Sequence, residues 1–283
     1  MAYLLFRSKD TVFVENTDAP GLFRQLPGSF SFNELFTSED PEALVRQACE
    51  QGSDGVSFDP KVPYQAPIGD QEVWAAGVTY FRSRTARMEE AEVAGGDIFY
   101  DKVYDAERPE LFFKATAPRT RGHLDAVAIR KDSTWDVPEP ELTLAITSTG
   151  KIFGYTIGND MSSRSIEGEN PLYLPQAKVY TGSCSIGPCL VVGPTPAPEA
   201  TIAIQINRDG ETVFSGETQV SQLKRGLEEL AGFLFRSNEF RYGAYLMTGT
   251  GIVPDSDFTL QAGDQISISI EGAGTLVNSV EVV

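Results

Sequence analysis

The chain is short of positive charge: 23 Lys and Arg stand against 40 Asp and Glu, a formal net charge of −17 over 283 residues. That deficit argues against nucleic acid or an anionic membrane surface as a partner, because a polyanion meets repulsion over most of the molecule. An anionic substrate remains admissible only if something local reverses the field, and a bound metal or clustered Arg and Lys would do so. Cysteine is scarce as well. Cys49, Cys184 and Cys189 form an odd set with no zinc-like spacing, which reads as reduced thiols in a cytoplasmic protein. There is no run of the roughly 18 to 20 apolar residues that a membrane helix needs. "MAYLLF" is too short and lacks the basic flank of a signal peptide. Internal repeats and low-complexity tracts are also missing.

What is present is an ordinary globular composition, 41% hydrophobic and 10% aromatic, long enough to bury a generous core. "YLLF" and "TVFVEN" read as a hairpin. "DPEALVRQACEQG" reads as a helix with Asp40 as N-cap, Pro41 at its first position and a glycine at its end. Three prolines between residues 60 and 68 suggest a linker, dividing a small α+β N-terminal domain (1–68) from a main domain (69–283). The main domain is mostly strands, among them "EVWAAGV", "ELTLAI", "IFGYTIG", "TIAIQIN" and "DQISISI". Two segments break that pattern. "SRTARMEEAEVAGG" (83–96) predicts an exposed charged helix, its Glu89, Glu90 and Glu92 forming a solvated face. "VSQLKRGLEELAGFLF" places Val220, Leu223, Leu227, Leu230 and Leu234 on one helical stripe. The fold class expected is mainly β, a mixed sandwich or roll with a few helices.

Four short stretches bear chemistry. In "VPEPELTLAI", Glu139 and Glu141 share one face of a strand, about 7 Å apart, with Pro140 marking a strand start or an edge. Such a pair is either a solvated edge or two ligands for a hard divalent cation, which turns their repulsion into attraction. "YTIGNDMSSR" offers Asp160 as a third acid, in a Gly-Asn-Asp turn after a strand, where Asn and Asp also serve as plain turn formers. Lys178 of "QAKVYTG" is a surface group or a base with a depressed pKa. "TGTG" (248–251) is a tight turn or an anion-binding one.

Taken in order, Glu139-Pro-Glu141-Leu, Gly158-Asn-Asp160-Met-Ser-Ser-Arg164, Lys178, Ile186-Gly-Pro188 and the series from "TGTG" to "LQAGDQISISIEGAGTLVN" resemble the fumarylacetoacetate hydrolase superfamily over roughly residues 72–283. The resemblance implies a β-roll of mixed sheets in homodimers or dimer-based tetramers. It implies a Mg²⁺ or Mn²⁺ site, which Ca²⁺ can also fill, at Glu139, Glu141 and Asp160. It further implies a small 2-oxo acid substrate gripped by that metal and faced by Lys178 and Thr250.

The departures narrow the expectation. Where the family's C–C hydrolases carry Asn-Tyr-x-x-His, this chain reads Thr79-Tyr80-Phe81-Arg82-Ser83. The only histidine, His123, lies in a loop-like stretch and reads as a surface residue. A His–Glu pair that activates water is therefore not expected. "VYDAERPELFFKAT", "STWDVPEPEL" and "EGENPLYLPQAKVY" are instead similar to the family's sugar-acid dehydratase branch, which turns a 2-oxo-3-deoxypentonate into 2-oxoglutarate semialdehyde and water. On that reading Lys178 removes the C3 proton. Glu110, flanked by Leu111, Phe112 and Phe113, is either the acid for the leaving hydroxyl, since poor solvation raises a carboxyl pKa, or a plain surface acid near a strand start. Ser83 and Arg84 hold the substrate beneath the 83–96 segment as a lid. The alternatives are a hydrolase or decarboxylase of an acylpyruvate-like 2,4-dioxo acid on the same metal site, or a metal-stabilised fold that binds an oxo acid without turning it over.

Overall fold

A computed structural model describes residues 1–9, 11–56, 59, 61–80 and 103–283. The expected 83–96 helix, with Ser83 and Arg84, lies outside the described residues.

The strands are β1 (Tyr3–Ser8), β2 (Thr11–Asn16), β3 (Phe23–Gln25), β4 (Ser53–Val56), β5 (Glu72–Gly77), β6 (Glu110–Thr116), β7 (Thr120–Arg121) and β8 (Ala126–Ile129). They continue with β9 (Asp136–Ile146), β10 (Ile152–Ser163), β11 (Cys184–Val192), β12 (Thr201–Arg208), β13 (Glu211–Gln219), β14 (Ala244–Met247), β15 (Gln265–Ile270) and β16 (Gly274–Val282). The larger sheet has the order β4-β3-β2-β1-β11-β10-β9-β14-β5-β6, with β7 also beside β11; the smaller is β13-β12-β15-β16-β8. Both are mixed, because β14–β5, β11–β7 and β16–β8 run parallel while the other pairs are antiparallel. The N-terminal hairpin continues the larger sheet through the pairing of β1 with β11.

The larger sheet separates two apolar layers. Leu142, Leu144, Ile146 and Ile157 pack toward the smaller sheet, together with Ile202, Ile268 and Leu276. On the other face Ala75, Ala145, Tyr245 and Met247 meet Phe32, Leu35, Phe36 and Val45. The latter four come from the helices Phe32–Thr37 and Pro41–Gln51. Asp40 caps the second of these by accepting from Ala43 N, and Pro41 occupies its first turn.

Four local expectations are corrected. The stretch 220–235 is not one helix, since only Leu227–Leu234 is α-helical. Leu223 forms an isolated β-bridge with Tyr80, and Lys224 N donates to Thr79 O, so these residues are committed to a neighbouring strand end. The stripe still faces inward, with Val220, Leu230 and Leu234 buried. The edge expected at Pro140 is only local, because β9 as a whole is interior and wholly buried. Pro140 is tolerated because β14 pairs only with Thr143–Ile146, leaving the proline flanked by β10 alone. Asp160 is not in a turn, because β10 runs on to Ser163 by pairing with Asp136–Pro138. His123 is not a surface residue; it is buried, and its Nδ1 accepts from Val277 N.

Candidate metal centre

β9 and β10 lie antiparallel with Glu139 opposite Asp160 and Glu141 opposite Gly158. Directly opposed residues share a face, so pairing alone gathers the three acids on the side away from the smaller sheet. One carboxylate oxygen of each lies within 4.8 Å of the others. Glu139, Glu141 and Asp160 are only 4%, 2% and 1% exposed, which removes the solvated-edge reading.

Like charges this close and this dry need compensation. Lys178 Nζ, at the end of the helix Leu174–Lys178, lies 2.5 Å from Glu139 Oε2, 3.1 Å from Asp160 Oδ2 and 2.6 Å from Ser162 Oγ. Arg164 Nη2 donates to Glu139 Oε1 at 2.6 Å. Lys114 pairs with Asp160 Oδ1. Gly249 N donates to Glu141 Oε2 at 2.5 Å. Lys114, Arg164 and Lys178 are themselves buried, so three cations meet three acids in one dry cluster. The cations only balance the acids, so a bound divalent ion would supply the local positive field that an acidic chain needs to accept an anion.

Burial, reinforced by the Asp160 and Glu139 carboxylates, pushes Glu141 well above the usual carboxylate range, against the opposing pull of Lys178 and the Gly249 N–H. The donor set is all oxygen and all acidic, the chemistry of a hard divalent cation such as Mg²⁺. A cation there would invert the repulsion that raises Glu141. The residues therefore fit a divalent metal.

Glu110 begins β6 opposite Gly77. A Cβ on Gly77 would fall 1.9 Å from Glu110 Oε2, so the carboxyl lies directly over that glycine. Strand alternation puts Glu110 and Phe112 on one face, and the pairing of Phe112 with Ala75 shows that this is the acid-bearing face. The Phe112 ring centroid is 5.6 Å from Lys178 Nζ. Thr250 is buried, and its hydroxyl both donates to Ile252 O at 3.1 Å and accepts from Ile252 N at 3.2 Å.

Sequence reasoning missed Lys114, Arg164 and Ser162 as members of this cluster. Arg164 was visible in "GNDMSSR" and Lys114 as a charge inside the apolar "ELFFKAT", but neither segment revealed its partner. A separate cavity of about 550 Å³, lined by Leu4, Phe6, Tyr64, His123 and Val277 among others, contains none of the three acids.

Residues 78–281 match the family described as fumarylacetoacetate (FAA) hydrolase C-terminal, and the chain belongs to that family. It is 51% identical over 222 residues to a Haloferax volcanii protein named "probable 2-keto-3-deoxyxylonate dehydratase", covering 77% of this chain and 74% of that one. It is 44% identical over 219 residues to the 2-dehydro-3-deoxy-D-arabinonate dehydratase of Saccharolobus solfataricus, covering 76% and 73%. A solved structure of 2-keto-3-deoxy-D-arabinonate dehydratase complexed with magnesium and 2,5-dioxopentanoate aligns with a TM-score of 0.81 at 34% identity, over 100% of this chain and 99% of that one.

Proposed function

We propose that this chain is a Mg²⁺-dependent hydro-lyase that converts a 2-keto-3-deoxypentonate to 2-oxoglutarate semialdehyde and water. The observation that carries the proposal is the buried Glu139–Glu141–Asp160 cluster with the Lys178 ammonium hydrogen-bonded into it. The relatives' names support it. D-Arabinonate and D-xylonate differ only at carbons that lose their stereochemistry, so both yield the same 2-keto-3-deoxypentonate.

Glu139, Glu141 and Asp160 would hold the metal, which supplies Lewis acidity toward the carboxylate and keto oxygens of a 2-oxo acid and so acidifies C3–H. Lys178 takes the C3 proton as the neutral amine, the form that a cation held by Glu139 and Asp160 would favour by repelling the ammonium. Its Ser162, Glu139 and Asp160 contacts keep Nζ on the ligand side of the carboxylates. Glu110 gives a proton to the C4 hydroxyl, which departs as water. A proton shift from C5 then completes the aldehyde. Ser83 and Arg84 complete the expected substrate contacts, and Thr250 supports them from the 248–251 turn. A dimer or dimer-based tetramer acting in the cytoplasm belongs to the same proposal. Its support is the 83%-exposed Leu172 and exposed Tyr173 beside the Lys178 helix, and three free cysteines.

The test is incubation with Mg²⁺ and 2-keto-3-deoxypentonate, followed by an aldehyde assay. Aldehyde is expected from the native chain, and none from Lys178→Met, which should still bind metal. No aldehyde, with pyruvate released from an acylpyruvate, would replace this reading with the hydrolase. A Lys178→Met variant that retains turnover would remove Lys178 as the base.

A further inference from the structure

β6 carries an irregularity that the mechanism above does not use. Val73 pairs with Ala115 while the next residue of β5, Trp74, pairs with Phe113, so Lys114 is an extra residue in the ladder. A bulge of this kind re-aims side chains, and bulges concentrate beside active sites. Here it lets two successive residues turn to the acid-bearing face. Ala115 packs into the apolar layer on that side, and Lys114 reaches the Asp160 carboxylate.

The Lys114 ammonium is fully buried and has three N–H donors. It forms an ion pair with Asp160 Oδ1 and donates to Met161 O at 2.9 Å and Lys178 O at 2.5 Å. Two of these belong to β10 and the third closes the helix that presents Lys178. One group thus ties a ligand carboxylate to the backbone of the base, from a strand that begins at Glu110. We propose that Lys114 is a positioning residue, setting Asp160 and Lys178 at a fixed mutual geometry. The inference rests on the preceding reading, in which Asp160 holds metal and Lys178 moves the proton.

A plain counter-charge and a positioning residue predict opposite signs. Removing a mere counter-charge leaves Asp160 more strongly anionic, so a divalent cation binds as well or better. Removing a positioning group lets the carboxylate and the lysine drift, so the cation binds more weakly. The experiment compares the full-length wild type with Lys114→Met and Lys114→Gln. Calorimetric Mn²⁺ titration gives Kd, and turnover of 2-keto-3-deoxypentonate at saturating Mg²⁺ gives kcat and KM. In Lys114→Met, Kd is expected to rise about tenfold or more and kcat to fall roughly 10- to 100-fold, typical of lost support around a metal site. KM stays within about threefold, because the substrate's own contacts remain. Lys114→Gln keeps an amide donor for the carbonyls and recovers part of kcat. If Lys114→Met does not fold, Lys114→Gln carries the same comparison at smaller amplitude. Unchanged or tighter Mn²⁺ binding in either folded variant would overturn the inference. A wild type that binds no Mn²⁺, or makes no aldehyde, would instead overturn the functional reading beneath it.

Discussion

Asp136 begins β9 three residues before Glu139 and is buried, and among the described residues its Oδ1 has no hydrogen-bond partner. Burial pushes its carboxyl up to about 6 from an ordinary 3.8, despite the hydrogen bonds from Ser133 and the Arg130 backbone. The folded state therefore holds this proton more tightly than the unfolded chain does. Its contribution to stability is complete below the ordinary value and is lost as pH rises through about 6. Asp136→Asn, which cannot ionise, is expected to gain in Tm on the wild type between pH 5 and pH 7.5. Thermal scans at the two pH values check this, and a gap that stays level or shrinks would remove the ionisation cost. At this scale legibility was uneven. Glu139 and Glu141 stood out because two like charges on one strand face demand a reason. Lys114 and Arg164 did not, because a single cation is ordinary until its buried partner is known.

The 248–251 turn shows how elements cooperate. Thr248 binds Leu142 O through both its N–H, at 3.0 Å, and its hydroxyl, at 2.9 Å. Thr79 Oγ1 donates to Thr248 O at 2.7 Å. The turn is thereby held between the residues just after β5 and the middle of β9, aiming the Gly249 N–H at Glu141. Just before Thr79, Val78 sits at φ 53°, a left-handed conformation that a β-branched residue adopts only when its surroundings impose it. Gly249 has φ +94°, and a Cβ there would fall 1.9 Å from Thr79 Oγ1. Gly249→Ala is expected to cost about 1–3 kcal/mol in urea unfolding and to weaken Mn²⁺ binding as the N–H leaves Glu141. Gly263 has φ +90° with nothing within 4 Å of a new Cβ, so Gly263→Ala isolates the backbone cost. Loss of metal affinity in both variants alike would show that the turn plays no special part. Capping and alternation had announced the helix at 41–51 and most strands. The ends of β9 and β10 escaped, because continuation past Gly158 depends on the partner strand rather than on local residues.

For the whole molecule, metal binding and stability are linked. A ligand at a hundred times its Kd stabilises the fold by about 2.7 kcal/mol, roughly 4–5 °C in Tm for a chain of 283 residues. Mg²⁺ is expected to raise Tm by that order. Glu141→Gln removes one ligand charge, and with it the repulsion from Glu139 and Asp160, while keeping a side-chain oxygen to accept from Gly249 N. The variant is therefore expected to melt close to the wild type without Mg²⁺ and to lose the Mg²⁺-induced rise. An undiminished rise in Glu141→Gln would remove Glu141 from the ligand set.

By itself the sequence determined the strand-rich class, the hard-metal character of the acids and their place in the family, because these follow from residue types in order along one chain. It also disfavoured a histidine-activated water, since a single histidine cannot be hidden by folding. Only the tertiary structure decided which cations compensate the acids, that β9 lies inside the sheet, and that a bulge turns Lys114 toward Asp160. Those outcomes depend on pairings between residues 47 and 64 positions apart, as for Lys114 with Met161 and Lys178. Register and bulges are fixed by the partner strand and the core beneath it, and local composition carries no trace of either.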